Sequence, residues 1–120
     1  MRKYLFQIFI IFVSSLQTYA QSSGDYKVIS NLKIKLKDLS GTKKIDCLNE
    51  LALECKYVLP SYKDSMSVYA WEANKLAKQL NYKKGIAQSL TTIAYYYLSA
   101  KKDTATDQKY FIESEIIGTE

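Results

Sequence analysis

The chain has 120 residues, with 17 lysines and arginines against 12 aspartates and glutamates, two cysteines and no histidine. The absence of histidine excludes Ser-His-Asp triads, histidine general bases and histidine-containing metal sites. Only four glycines occur and none are close together, so a glycine-rich phosphate-binding loop is excluded as well.

Residues 1–20 have the pattern of a signal peptide. Arg2 and Lys3 precede a predominantly apolar stretch from Tyr4 to Val13, and Thr18-Tyr19-Ala20 places small residues at a cleavage position. The apolar stretch is shorter than the roughly 20 residues that a membrane-spanning helix needs. We therefore expect cleavage after Ala20 and a periplasmic or secreted mature chain. The alternative is an uncleaved N-terminal segment that anchors the chain to the membrane.

Residues 21–41 are predicted to form an N-terminal segment with a short capping helix. The apolar residues between 32 and 36 alternate as in a strand, but over a longer stretch they recur as on one face of a helix: Val28, Leu32, Leu36 and Leu39. We favour the helix, packed as a cap on the first repeat, because stacked helical repeats need a distinct end element.

Lysines are concentrated in and after this segment, at Lys27, Lys33, Lys35, Lys37, Lys43 and Lys44. A basic arm of this kind could bind an anionic surface or nucleic acid. Because the lysines alternate with apolar residues, we favour a solvated helix face. Export would also separate the chain from intracellular nucleic acid, so no nucleic-acid partner is expected.

The first helical hairpin is predicted over residues 42–81. Its first helix has an apolar stripe at helical spacing, made of Ile45, Leu48, Leu51, Ala52 and Cys55. Pro60 should end that helix, and Ser61 with Asp64 has the spacing of a capping box for the next one. The apolar side of the second helix runs through Met66, Tyr69, Ala70, Ala73, Leu76, Ala77 and Leu80.

The second hairpin is predicted over residues 82–118, after a turn at Asn81 to Gly85. Its first helix should bury Ile86, Leu90, Ile93, Ala94 and Tyr97. Thr104 with Asp107 has capping-box spacing for the last helix, and Gly118 should end it. The inner stripe of that helix is predicted to be Tyr110, Phe111, Ser114 and Ile117.

The two hairpins repeat one pattern at an offset of 42 residues. Leu48-x-x-Leu51-Ala52-x-x-Cys55 aligns with Leu90-x-x-Ile93-Ala94-x-x-Tyr97, so large and small residues recur at the same spacings. A period of this length is typical of stacked supersecondary units. The prediction is an all-α chain of about two helical-hairpin repeats over residues 42–120, with an N-terminal capping helix.

These positions resemble the tetratricopeptide repeat, in which a large residue, a leucine, a small residue and an aromatic residue mark the first helix. More narrowly, KIDCLNELALECK, LAKQLNYKKGIAQSL and DQKYFIESEII resemble the extracytoplasmic repeat regions of Bacteroidetes-type sensor histidine kinases and transcriptional regulators. The resemblance covers roughly residues 42–117. Asp107 departs from it, since the family normally has alanine there. The resemblance implies a module that binds a protein or peptide, as the sensing part of a signalling protein.

Sensor proteins of that type continue through further repeats, a membrane helix and a signalling domain, so the chain is either a fragment or a short secreted relative. About three repeats are needed to bury a continuous core. We therefore expect Ile112 or Ile116 on the last helix to stay exposed and to favour a homo-oligomer.

In the resemblance, the first helix of each repeat lines a concave groove. The residues that would face this groove are Asn49, Leu53, Tyr57, Thr91, Tyr95 and Leu98. Aromatic and amide groups suit an extended peptide. The alternative is that the tyrosines only pack against a neighbouring hairpin.

Two glutamates and the two cysteines are interpreted as structural residues. Glu50 and Glu54 lie one helical turn apart, and we favour an exposed acidic face over a cation site. Cys47 and Cys55 are eight residues apart on one predicted helix, which is too far for a disulfide between them. Cys55 is expected in the core, whereas Cys47 is expected to be partly exposed and able to form an intermolecular bridge.

No nucleophile is paired with a base anywhere in the sequence, so we expect no enzyme activity, no cofactor and no metal. Two function classes stay open: a protein- or peptide-interaction module, and a structural scaffold that associates with itself.

Overall fold

A computed structural model describes residues 26–57 and 63–119. Within these ranges the chain forms five α-helices and no strand. The helices are α1 (Tyr26–Leu36), α2 (Gly41–Tyr57), α3 (Lys63–Gln79), α4 (Lys83–Ser99) and α5 (Thr104–Thr119). The predicted signal peptide, Pro60 and Ser61 lie outside the described residues. No helix in the described part of the chain is long and apolar enough to cross a membrane.

Each helix packs against the next one along the chain, and α2 also packs against α4. The pairs α2–α3 and α4–α5 are helical hairpins, and their first helices lie side by side. This arrangement confirms the predicted all-α fold of stacked helical hairpins. It also creates a shared surface between α2 and α4, on which the candidate site lies.

The ambiguous N-terminal stretch is a helix. Ile29 and Leu32 of α1 are buried, with 3% and 7% of their surface exposed, whereas Ile34 is 62% exposed. A strand would have placed Ile34 on the same face as Leu32, so the helical period is the one that the packing selects. The buried face of α1 covers α2, as expected of a capping element.

The repeat positions form the core. Leu48, Leu51 and Ile93 are fully buried, and Leu90 is 1% exposed. Four alanines lie at closely packed positions on α3 and α4, namely Ala70, Ala73, Ala77 and Ala94. Side chains of this size allow neighbouring helices to approach closely, and the predicted inner stripes are confirmed at these positions.

Some predicted core positions are wrong. Tyr96, which the repeat alignment did not place inside, is 8% exposed and its hydroxyl donates to Asp64 Oδ1 at 3.4 Å. Tyr97 is only partly buried and stacks on Tyr110. Leu80 and Phe111 are 53% and 47% exposed. Helical periodicity finds the face of a helix, but residues at the edges of that face are buried or exposed according to what packs beside them.

The turn between the hairpins is shorter than predicted. Asn81 adopts the left-handed conformation (φ 53°), and the N–H groups of Asn81 and Tyr82 donate to the carbonyls of Lys78 and Ala77. These two hydrogen bonds form a Schellman motif that ends α3. Helix α4 begins at Lys83, so Gly85 belongs to its first turn and not to the connection.

The last helix is capped by a different residue from the one predicted. Asp103 accepts hydrogen bonds from the backbone N–H and the hydroxyl of Thr106, at 3.1 and 2.6 Å. Its carbonyl accepts the N–H of Asp107, which is the first bond of the helix. Asp103 is therefore the N-cap, one residue before Thr104. Gly118 lies within α5 and does not end it.

Replacing Asp103 with alanine should lower the melting temperature at pH 7, whereas Thr104→Ala should leave it nearly unchanged. The hydrogen bonds from Thr106 hold the pKa of Asp103 below its usual value. A lowered pKa means that the stabilisation is complete above the unfolded-state pKa of about 3.9. It is lost as the pH falls through the lower value of the folded state. Thermal melts followed by circular dichroism at pH 7 and pH 2 test this, and a larger effect of Thr104→Ala would contradict it.

Both cysteines are buried, which corrects the expectation that Cys47 is partly exposed. Cys47 is 4% exposed and its thiol donates to the carbonyl of Leu32 at 3.6 Å, while Cys55 is 1% exposed. Burial raises the pKa of both thiols, so the nucleophilic thiolate is disfavoured.

We expect neither thiol to react with Ellman's reagent until the chain is unfolded, and non-reducing electrophoresis to show no intermolecular disulfide. Two equivalents of fast-reacting thiol per chain in native buffer, with the same rate in urea, would contradict this expectation.

Candidate functional site

A continuous depression runs along the surface between α2 and α4, and we call it the α2–α4 groove. Its central cavity has a volume of about 500 Å³ and is lined by Asp46, Asn49, Glu50, Leu53, Lys84, Gln88, Thr91 and Thr92. A second cavity of about 230 Å³ adjoins it toward α5, and a third of about 190 Å³ adjoins it toward α1. The central cavity shares Leu53, Thr91 and Thr92 with the second, so these two form the groove, whereas the third lies between α1 and α2 and shares Asp46 and Glu50 with the central cavity.

Four of the six predicted groove residues line this surface with accessible side chains. Leu53 and Leu98 are each 44% exposed, Thr91 is exposed and Tyr95 is partly buried. Tyr57 is 55% exposed and lies at the rim beside Lys56. These residues, which the tetratricopeptide resemblance implied for the groove, therefore lie on one surface of α2 and α4.

Asn49 is the predicted residue that differs most from expectation. It lines the central cavity but is only 7% exposed, and its Nδ2 donates to the carbonyl of Gly85 at 3.2 Å. This bond joins α2 to α4. Its Oδ1 is buried and has no hydrogen-bond partner among the described residues. Asn49 therefore belongs to the contact between α2 and α4, and its buried Oδ1 is an unpaired acceptor. Its side chain is not an exposed contact residue of the groove.

The sequence prediction did not include most of the polar lining of the central cavity, namely Asp46, Glu50, Lys84, Gln88 and Thr92. A signal for them was available. Asp46, Glu50 and Leu53 follow one another at spacings of four and three, as do Lys84, Gln88 and Thr91. Residues at these spacings share one helix face. Following the same helix face from Leu53 toward the start of α2, and from Thr91 toward the start of α4, leads to Asp46, Glu50, Lys84 and Gln88.

The threonines on the α4 side are bonded to their own helix. Thr91 Oγ1 donates to the carbonyl of Ala87 at 3.0 Å, and Thr92 Oγ1 to that of Gln88 at 3.2 Å. Ser114 Oγ of α5 lies 2.8 Å from the carbonyl oxygen of Ala87 and 2.8 Å from Thr91 Oγ1, and either hydroxyl can be the donor in the contact between them. Thr91 therefore both lines the groove and helps to fix α5 against α4.

The polarity of the groove changes along its length. Around the central cavity the lining carries the carboxylates of Asp46 and Glu50 and the ammonium group of Lys84. Toward α5 the lining gains the apolar and aromatic side chains of Ala94, Tyr95, Leu98 and Phe111, together with the charged side chains of Lys56 and Asp107. A ligand that lies along the groove would meet hydrogen-bonding groups at one end and apolar side chains at the other.

Lys56 lines the second cavity. Its ammonium group lies 4.1 Å from the centre of the Tyr95 ring and 5.4 Å from that of Tyr57. Both distances are within the range of a cation–π interaction. This contact orients the Tyr95 ring and links the ends of α2 and α4.

Tyr82 and Glu54, near the groove, have raised pKa values. The hydroxyl of Tyr82 donates to Asp46 Oδ1 at 2.9 Å, and this bond raises the pKa of Tyr82. The pKa of Glu54 is raised by burial and then by the negative charge of Glu50. No group of three or more cysteine, aspartate or glutamate side chains in the described ranges has the geometry to hold a metal ion.

Comparison with known proteins adds no family to these observations. The chain matches no protein-family model, no curated protein and no solved structure.

Proposed function

We propose that this chain is a tetratricopeptide-type helical-repeat module that binds an extended segment of a protein or peptide in the α2–α4 groove. The observation that carries the proposal is the continuity of the groove across two hairpins, with hydrogen-bonding groups in its centre and exposed Leu53, Leu98 and Phe111 toward α5. Elongated binding sites of this mixed character suit peptides, whose main chain needs polar partners and whose side chains need apolar ones.

The cellular setting is part of the proposal. The signal-peptide pattern of residues 1–20 favours a periplasmic or secreted location, where the module would serve as the sensing or binding part of a signalling protein of the Bacteroidetes type. The repeat pattern at Leu48 to Cys55 and Leu90 to Tyr97 supports the tetratricopeptide assignment.

Selection from a random 12-residue peptide library displayed on phage tests the binding function. The wild-type chain should enrich a consensus, and synthetic consensus peptides should bind it in isothermal titration calorimetry. Leu53→Glu should abolish binding because it puts a charge where the central and second cavities meet.

The matched control is Leu80→Glu, which changes a leucine of similar exposure at the end of α3. Both variants should melt within a few degrees of the wild type, since both side chains are already about half exposed. Failure to enrich any peptide would overturn the proposed function. Equal binding by Leu53→Glu and the wild type would overturn the assignment to the groove.

A self-associating scaffold is the second candidate, and it rests on a different observation. Ile112 and Ile116 of α5 are each 56% exposed, and exposed apolar patches commonly mark interaction sites. Sedimentation velocity over a hundredfold range of concentration tests it. A concentration-dependent increase in sedimentation that Ile112→Glu abolishes would support the scaffold, whereas a monomer at every concentration would exclude it.

A further inference from the structure

The last helix, α5, has apolar side chains on two opposite faces. Its inner face carries Tyr110 and Ile117, which pack against the core. Ile112 and Ile116 lie on the outer face, where each is 56% exposed. Among the described helices, α4 is the main neighbour of α5. A surface helix normally has a single apolar face, so the second apolar face indicates that another element covers α5.

The outer face of α5 is also acidic. Glu115 is exposed and shares this face with the two isoleucines, three positions after Ile112. Glu113 is partly buried at the edge of the face, and Lys109, one turn earlier, is its basic residue. Asp107 lines the second cavity of the α2–α4 groove instead. The outer face of α5 therefore has two carboxylates against one ammonium group.

The first helix, α1, has the opposite charge at the other end of the stack. One side of α1 packs on α2, whereas Ile34 on the other side is 62% exposed. Helix α1 contains no acidic residue, and Asp38 is the carboxylate of the turn that follows it. Lys35 also lines the third cavity, where Asp46 and Glu50 balance part of its charge. The exposed lysines of α1 and the following turn are Lys27, Lys33, Lys35 and Lys37.

We propose that the outer face of α5 binds α1 of a second copy of this chain, so that copies associate head to tail. Ile34 would meet Ile112 and Ile116, and the lysines of α1 would meet Glu113 and Glu115. Each unit of a helical-repeat protein packs on its neighbours, and a second copy would continue the stack in the same way. The inference goes beyond peptide binding, and it gives the self-associating scaffold a defined contact.

The charges of the two end helices favour this contact over a symmetric one. A symmetric contact between two α5 helices would bring two net negative faces together, and one between two α1 helices would bring lysines together. A contact between α5 and α1 pairs opposite charges. Such a contact uses different surfaces on the two copies, and it continues from copy to copy or closes into a ring.

Two variants that each block one end test the proposal. Ile116→Lys places a positive charge where the lysines of α1 would approach, and Ile34→Glu places a negative charge where the carboxylates of α5 would approach. Each variant should raise the dissociation constant for self-association at least about tenfold, measured by sedimentation velocity over a hundredfold range of concentration. Association of the wild type should also weaken between 50 mM and 500 mM salt.

An equimolar mixture of the two variants should restore association, because the intact α5 of Ile34→Glu can bind the intact α1 of Ile116→Lys. Val68→Glu is the matched control, since Val68 is 63% exposed on α3, and it should associate like the wild type. All three replaced side chains are more than half exposed, so the variants should melt within a few degrees of the wild type.

The outcomes separate this inference from the proposed function. A wild-type chain that stays monomeric at every concentration would overturn head-to-tail association, while peptide binding in the groove stands. Wild-type association of Ile34→Glu beside a monomeric Ile116→Lys would assign the contact to two α5 helices and overturn the role of α1. A mixture that associates no better than the separate variants would overturn the pairing as well. Failure to select any peptide would leave head-to-tail association standing.

Discussion

Gly85→Ala is expected to destabilise the fold by about 1–3 kcal/mol, although alanine is the better helix former. Gly85 is buried in the first turn of α4, beside the neighbouring helix α2. A Cβ atom there would lie 2.6 Å from Ile45 Cγ2 and 2.7 Å from Tyr82 Cδ2. Ile45 is fully buried and its Cγ2 is bonded directly to Cβ, so it cannot move away without disturbing the core.

The same substitution has a second cost, because Gly85 supplies the carbonyl that holds Asn49 Nδ2. Moving α4 away from α2 to make room for the new methyl group would lengthen this bond and leave a buried amide donor unpaired. Both consequences follow from the close approach of the two helices that line the groove.

Gly118→Ala is the matched control, since a Cβ at Gly118 would meet nothing within 4 Å. Gly118 lies in the last turn of α5. There the helix propensity of alanine should dominate, and the variant should be unchanged or more stable by up to about 1 kcal/mol. Urea denaturation followed by circular dichroism measures both variants. Equal effects at the two glycines would show that α2 and α4 are not in close contact at Gly85.

Leu48→Ala is expected to destabilise the fold by about 2–5 kcal/mol. Leu48 is fully buried in a cluster with Ile45, Ala73, Ile86 and Leu90, which belong to α2, α3 and α4. Removing its side chain would leave a cavity where three helices meet, and the alanine at position 73 offers little volume to fill it. A single small domain has a total stability of only about 5–15 kcal/mol, so this variant should lose a large fraction of it, which urea denaturation would measure.

Leu80→Ala is the control for this prediction. Leu80 is 53% exposed, so the loss of its side chain should cost less than about 0.5 kcal/mol. The two variants remove the same atoms, and the difference between them isolates the contribution of burial. A difference below about 1 kcal/mol in chemical denaturation would mean that the repeat positions do not form the core.

The sequence was a good guide wherever a local rule sufficed. The period of 3.6 residues predicted the buried stripes at Ile45, Leu48 and Leu51, and the offset of 42 residues predicted their counterparts on α4. The period depends on residue spacing along one helix and the offset on the similarity of two segments, and the sequence contains both. The same period placed Leu53 and Leu98 on the exposed side of α2 and α4.

The centre of the groove depended on contacts between helices, which no local pattern specifies. Asn49 follows the buried Leu48 and resembles any polar residue at the edge of a stripe. The Asn49 side chain is buried because α4 lies close to it at Gly85, whose carbonyl accepts a hydrogen bond from Asn49 Nδ2. In the same way, α5 provides Tyr110, on which Tyr97 stacks, and α3 provides Asp64, to which the buried Tyr96 donates.

By itself, the sequence determined the all-α class, the hairpin repeat and the centre of the buried stripe on α2 and α4, because these follow from residue spacing within a helix and from the similarity of two segments. Only the tertiary structure decided how closely α2 and α4 approach, which glycine permits it, and which polar side chain is buried between them. Those features depend on distances between residues that are far apart in the chain, such as Asn49 and Gly85, which are separated by 36 positions. Periodicity shows which face of a helix is buried, and the packing of the neighbouring helix determines what that face touches.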